Sequence, residues 1–112
     1  MLTSTQLMEK INSHCYSQFT AYRFNKTSLQ VSDKYRVGRL AGLDYIDKLT
    51  YYFIQQERRA RKLFRDEILK QMQLNACLED NDYKQGLYDA LNAALDELIE
   101  LEKSQENPRT II

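Results

Sequence analysis

Glycine and proline are scarce in this 112-residue chain, which holds three Gly and one Pro. At average usage, a chain of this length carries roughly 13 of these residues. Tight turns depend on them, so a sandwich, barrel or propeller built from many short strands would have too few. The sequence therefore predicts an all-α protein, and its length favours a single domain over residues 1–106.

The composition is typical of a folded protein, with 29% charged and 43% hydrophobic residues. The first residues lack the cationic segment and apolar run of a secretory signal. The most apolar stretch is residues 51–54, far short of the ~20 residues that a membrane span needs. The two cysteines, Cys15 and Cys77, form no metal-binding or redox pattern. We expect a cytoplasmic protein with reduced thiols and no membrane partner.

Apolar spacing predicts three helices, at about 4–25, 33–77 and 82–104. Thr3 and Gln6 form a capping box before the first helix, whose apolar positions are Leu7, Met8, Ile11, Cys15, Phe19 and Tyr22. Asp82 and Gln85 are a cap pair for the last helix. Its apolar positions follow the heptad spacing of a coiled coil: Leu87, Leu91, Ala94, Leu98 and Leu101. Residues 107–112, which include a proline, are predicted to be a flexible tail.

The middle helix is predicted to be very long, beginning at Ser32 or Asp33, since both are good N-caps. No strong helix breaker follows until the acidic cluster at 79–82. One apolar stripe stays in phase over that whole distance, which favours a single helix of roughly 64 Å. The stripe consists of Tyr35, Gly38, Gly42, Ile46, Leu49, Phe53, Ala60, Leu63, Phe64, Leu74 and Leu78. The alternative is a break in this helix near the two glycines or near Thr50.

These helix lengths predict a rod only two helices thick, which would bury little apolar surface. A second apolar patch on the middle helix would then be exposed, and an exposed patch indicates a partner. We therefore expect a homodimer with a four-helix cross-section, an antiparallel bundle or coiled coil. The alternative is a kinked middle helix that folds the chain into a monomeric bundle.

The predicted self-association or docking patch combines two glycines of the main stripe with the second apolar patch, which lies about 120–180° away from that stripe on the middle helix. Gly38 and Gly42 form a GxxxG pattern, which lets another backbone approach closely, either at a dimer centre or against the first helix. Apolar side chains of the second patch are the candidate anchors. The full set is Gly38, Leu40, Gly42, Leu43, Tyr51 and Ile54.

Charge is segregated along the chain, although the net charge is zero. Residues 79–106 hold nine acids and two bases, whereas residues 23–70 hold twelve bases and six acids. The densest basic run gives a candidate ridge for a protein partner or for phosphates: Arg58, Arg59, Arg61, Lys62 and Arg65. The preferred interpretation is that the acidic last helix neutralises this ridge within the fold or across a dimer.

Candidate catalytic and metal-binding groups are weak. His14 and Cys15 are consecutive on a helix and point about 100° apart, so they cannot act as a pair. Asp44 and Asp47, like Glu97 and Glu100, are one turn apart, but nothing in the sequence predicts a cleft around them. The acids at 80 and 82 resemble the start of a calcium loop whose later ligand positions are wrong. We expect no catalytic, cofactor-binding or metal-binding residues.

The sequence thus predicts a small non-enzymatic interaction protein, such as an adaptor, assembly factor, chaperone or inhibitor. It would act as a homodimer through helix-face contacts with a protein partner. The alternative is a nucleic-acid-binding accessory or regulatory protein that uses the basic ridge Arg58–Arg65.

Overall fold

A computed structural model describes residues 3–24, 30–55 and 60–106. All regular secondary structure in these ranges is α-helical, as the sequence predicts. The helices are α1 (Ser4–Phe24), α2 (Asp33–Ile54), α3 (Ala60–Leu74) and α4 (Asp82–Glu106). None of these described helices combines the length and the hydropathy needed to cross a membrane. The predicted tail at 107–112 lies outside the described residues.

Side-chain caps fix where the helices begin. The Gln6 backbone N–H donates to Thr3 Oγ1 at 3.1 Å, and the Thr3 N–H donates to Gln6 Oε1 at 2.9 Å. This reciprocal pair is the predicted capping box. Ser32 caps α2 by accepting from the Tyr35 N–H at 3.1 Å.

The start of α4 differs by one residue from the prediction. Asn81 Oδ1 accepts from the Lys84 N–H at 3.1 Å, so Asn81 is the capping residue. Asp82 is the first helical residue rather than the cap. At that position the Asp82 carboxylate still interacts favourably with the positive end of the helix dipole.

The single long middle helix of the sequence prediction is wrong, because the structure forms two helices there. α2 ends at Ile54, and the Gln55 N–H bonds back to the carbonyl oxygen of Tyr52 at 3.3 Å. α3 then folds back so that the rings of Phe53 and Phe64 meet edge to face, with centroids 6.4 Å apart. On both sides of the break, stripe residues such as Phe53 and Phe64 lie in the same core, so the periodicity alone could not reveal the break. The stripe prediction is wrong for Leu63, Leu74 and Leu78, which are exposed.

Contacts between helices define an up-down-up-down arrangement. α1 runs antiparallel to α2, since Thr5 contacts Ile54 and Cys15 contacts Leu43. α4 runs parallel to α2, because Ser32 contacts Asp82 at one end and Gly42 lies against Ala90 further along. α3 runs antiparallel to α4, with Arg65 at Glu102 and Met72 at Tyr88.

All three glycines lie at the crossing of α2 and α4. A Cβ atom on Gly38 would lie 2.0 Å from the carbonyl oxygen of Tyr83, and one on Gly86 would lie 2.2 Å from that of Tyr35. Such distances are far inside van der Waals contact, so a side chain at either position would push the helices apart. The GxxxG pattern therefore packs against α4 of the same chain, rather than against α1 or at a dimer centre.

One hydrophobic core joins all four helices. It contains Met8, Ile11 and Cys15 from α1, and side chains of the other three helices complete it: Leu43, Ile46, Phe53, Ala60, Phe64, Ile68, Leu87, Ala90, Leu91, Ala94 and Leu98. The predicted seam of the last helix faces this core, with Leu101 half-buried at its edge. Four packed helices, measuring 47 × 30 × 26 Å, replace the two-helix rod.

Candidate functional site

The structure divides the predicted docking patch into a buried half and a surface half. Gly38, Gly42 and Leu43 are buried inside the chain, so they are not available to a partner. Leu40 and Ile54 are half-buried, and Tyr51 is 66% exposed. The candidate surface is therefore smaller than the predicted patch and is centred on one side of α2.

Positions 40, 44, 47 and 51 lie on that side, because a spacing of four, three and four residues follows one helix face. The antiparallel register with α1 brings Tyr16 and Phe19 beside this face. Tyr16 is 66% exposed and Phe19 is half-buried. We call the resulting surface the α1–α2 face: Tyr16, Phe19, Leu40, Asp44, Asp47 and Tyr51.

A cavity of about 110 Å³ opens between α1 and α2 within this face. Its walls are Cys15, Tyr16, Phe19, Asp44 and Asp47. The volume is several times the space that one buried water needs. The cavity thus combines two aromatic rings and two carboxylates around a site large enough for a small chemical group.

Hydrogen bonds hold the Asp47 side of the cavity in place. Asn12 Nδ2 lies 2.9 Å from Asp47 Oδ1 and 2.8 Å from Thr50 Oγ1. The fully buried Thr50 hydroxyl in turn lies 2.9 Å from the carbonyl oxygen of Ile46. This network ties α1 to α2 and orients the Asp47 carboxylate.

The Asp44 carboxylate is held much less firmly. Its contact is Lys48 Nζ at 2.9 Å, one turn along the same helix. The two side chains are 50% and 75% exposed, and exposed ion pairs of this kind contribute little to stability. A cation from outside the chain can therefore compete with Lys48 for Asp44.

Cys15 lies at the floor of the cavity as a protonated, unreactive thiol. Its Sγ is 2.9 Å from the carbonyl oxygen of Leu43, and the side chain is 4% exposed. Burial, reinforced by the nearby carboxylates of Asp47, Glu97 and Asp44, raises the pKa of Cys15 to about 12. Since the thiolate is the nucleophilic form, Cys15 is a packing residue at neutral pH.

His14 contacts α4 rather than the cavity. Its Nδ1 lies 2.5 Å from Glu97 Oε2, and this contact joins α1 to α4. Burial raises the pKa of Glu97 above its usual value, and the neighbouring His14 opposes that shift. His14 and Cys15 therefore point to different neighbours, as their adjacent helix positions predict. Among the described residues, no three His, Cys, Asp or Glu side chains converge on one metal position.

The described part of the predicted basic ridge is paired with acids. Arg65 and Arg61 both reach Glu102 of α4, at 2.8 and 3.9 Å, and Lys62 lies 3.0 Å from Asp66. This favours the sequence interpretation in which the acidic last helix neutralises the ridge inside the fold. Arg58 and Arg59 lie outside the described residues.

Sequence reasoning missed the cavity, although it noted two of its residues. The spacing of Asp44 and Asp47 places their carboxylates on one helix face, but it cannot show what covers that face. Tyr16 lies just off the apolar stripe of α1, which is the signal of an aromatic ring at the edge of a helix interface. The pairing of α1 with α2 was needed to join these residues.

Comparisons with known protein families, with curated proteins and with solved structures found no match to this chain.

Proposed function

We propose that this chain is a small non-enzymatic protein-binding domain that docks a positively charged segment of a partner protein on the α1–α2 face. The observation that carries the proposal is the cavity between α1 and α2, which is lined by the exposed Tyr16, the half-buried Phe19 and the two acids Asp44 and Asp47. Tyrosine is enriched at protein interfaces and among the residues that contribute most binding energy.

Charge supports a basic rather than an acidic segment. Asp44 and Asp47 lie in the cavity wall, and the one described base paired with them is the weakly held Lys48. Complementary charge speeds association and fixes the register of a bound segment. The arrangement therefore favours a partner segment that carries lysine or arginine.

A nucleic acid is the second candidate that the sequence raised, and the described contacts support it less. Arg61, Lys62 and Arg65 each have an acidic neighbour within 4 Å, so phosphates would have to compete with these ion pairs. The aromatic rings of the α1–α2 face lie beside carboxylates, which repel a phosphate backbone. We therefore place the binding site on the α1–α2 face rather than on the ridge.

Capture from a lysate of the native host, followed by binding measurements with the purified partner, tests the proposal. We expect Tyr16→Ser/Tyr51→Ser to weaken binding of the captured partner at least tenfold, because both rings would lie at the centre of the contact. Tyr52→Ser is the matched control. Tyr52 is 58% exposed and adjacent in sequence, but it points about 100° away on α2.

Two results would overturn the proposal. One is unchanged binding in the double variant, and the other is equal loss in the Tyr52→Ser control. A second copy of the chain is the other occupant to consider, since the sequence predicts a homodimer. If a second copy occupies this face, light scattering on the wild type will give twice the 13.3 kDa mass of one chain. The Tyr16→Ser/Tyr51→Ser variant will then give the mass of a single chain.

A further inference from the structure

The cavity between α1 and α2 has the chemistry of a receptor for one cationic side chain. Two of its walls are the rings of Tyr16 and Phe19, and two are the carboxylates of Asp44 and Asp47. Aromatic faces attract ammonium and guanidinium groups through the ring quadrupole, and carboxylates attract them by charge. We propose that this cavity binds the lysine or arginine side chain that anchors the partner segment, an inference that rests on the proposed function.

The electrostatic surroundings of the cavity are consistent with this ligand class. The buried Cys15 on its floor is influenced by three carboxylates, those of Asp47, Glu97 and Asp44. Of these, Asp44 and Asp47 line the cavity, and an apolar or acidic side chain that excluded water would bring no compensating charge to them. A cationic side chain supplies the compensation, and its aliphatic stem can lie along the aromatic rings.

The two carboxylates have different roles in this site. Asn12 orients Asp47, so Asp47 offers a fixed acceptor. Asp44 is half-buried and paired with Lys48, whose side chain is 75% exposed, so Asp44 can exchange one cationic group for another. Binding therefore replaces a weak surface ion pair with a more buried one, and the displaced Lys48 returns to water.

Nuclear magnetic resonance titration of the isolated chain tests this inference without the partner. The probes are N-acetyl-arginine amide and N-acetyl-lysine amide, and N-acetyl-citrulline amide is the uncharged control for arginine. We expect the charged probes to shift the amide signals of residues 15–19 and 44–48 in a saturable way. Citrulline, which has the shape of arginine without its charge, should not do so.

Variants locate the binding site. Asp44→Asn/Asp47→Asn keeps the side-chain shapes and the acceptor used by Asn12, and we expect it to raise the dissociation constant at least tenfold. Asp96→Asn changes an exposed acid of α4 and should leave the titration unchanged. Equal binding of citrulline, shifts confined to other residues, or unchanged binding in the double variant would each overturn the inference.

The two proposals fail in distinguishable ways. In one case the charged probes cause no saturable amide shifts, but partner binding depends on Tyr16 and Tyr51. That result would overturn the cation site and support the docking face. In the other case the charged probes bind in the cavity, but partner binding is unchanged by substitution of Tyr16 and Tyr51. That result would support the cation site and overturn the docking face.

Discussion

Gly86 shows how closely α2 and α4 approach each other. A Cβ on this residue would lie 2.2 Å from the carbonyl oxygen of Tyr35 and 2.7 Å from the backbone nitrogen of Arg39. Both are backbone atoms, so neither can move aside as the end of a flexible side chain can. The contact requires glycine despite its poor helix propensity.

We expect Gly86→Ala to lower the free energy of unfolding by about 1–3 kcal/mol, because the new methyl group overpacks the crossing. Chemical denaturation measures the change. Ser17→Ala, on the exposed side of α1, is the control and should be neutral or slightly stabilising through helix propensity. A gain in stability for Gly86→Ala would contradict the close packing of α2 and α4.

The Cys15 thiol gives a prediction on pH. Its pKa is about 12 in the folded chain, against 9.0 for an ordinary thiol. Between these values the unfolded thiol ionises and the folded one does not, so stability falls as pH rises, by about 1.4 kcal/mol per pH unit. Below pH 9 the two states bind this proton equally and the effect vanishes.

Denaturation of the wild type and of Cys15→Ala across pH 8–11 isolates this effect from the tyrosines and lysines that titrate in both proteins. The variant loses a buried sulfur at every pH, so it starts less stable. We expect its deficit to shrink above pH 9, because the wild type alone pays for keeping the thiol protonated. A deficit that stays constant with pH would show that Cys15 ionises normally.

At the scale of the elements, side chains from α4 determine how α3 ends. Lys84 Nζ donates to the carbonyl oxygens of Ala76 and Leu78, at 2.9 and 3.1 Å, and contacts Asp80 Oδ1 at 2.9 Å. The Tyr88 hydroxyl donates to the carbonyl oxygen of Met72 at 2.5 Å. Carbonyls at and beyond the end of a helix lack intrahelical partners, so these donors join α3 to α4.

Removing the Lys84 donor should loosen that junction. We expect Lys84→Ala to lower the free energy of unfolding, because the variant loses charge-assisted hydrogen bonds to the carbonyl oxygens that follow α3. Hydrogen exchange at residues 75–80 should become faster. Lys70→Ala, an exposed lysine of α3, should change neither quantity. Unchanged exchange at 75–80 in Lys84→Ala would refute this role.

The helix count shows where element-level prediction from the sequence stops. The starts of α1 and α2 follow from local capping signals, and the structure confirms both Thr3 with Gln6 and Ser32. The end of α2 has no comparable signal, since no glycine or proline stands near Gln55. The break is stabilised by long-range packing of Phe64 and Ile68 on the core, which a local pattern cannot represent.

At the scale of the whole molecule, the fold-back of α3 changes the argument for self-association. The homodimer was inferred because a two-helix rod would bury little apolar surface and would expose the second apolar patch of its middle helix. In the structure four helices enclose one core and Leu43 of that patch is buried, so the dimer no longer follows from the need to cover the patch. The dimer remains a prediction that light scattering tests.

The segregation of charge along the chain has a consequence at this scale. Arg61 and Arg65 of the basic half lie against Glu102 of the acidic α4, and His14 of α1 lies against Glu97. Part of the charge segregation along the chain is therefore paired between helices. The two carboxylates that line the α1–α2 cavity, Asp44 and Asp47, belong to α2 and take no part in these pairs.

The sequence by itself determined the helical class, the core-facing stripes of α1 and α4 and the caps at Thr3 and Ser32, because spacing and capping are local properties. The tertiary structure decided the number of helices, the partner of the glycines and the existence of the α1–α2 cavity. Each of these depends on residues far apart in the chain, such as Gly86 against Tyr35 or Phe19 beside Asp44. Such contacts form only when the helices pack, so no local pattern encodes them.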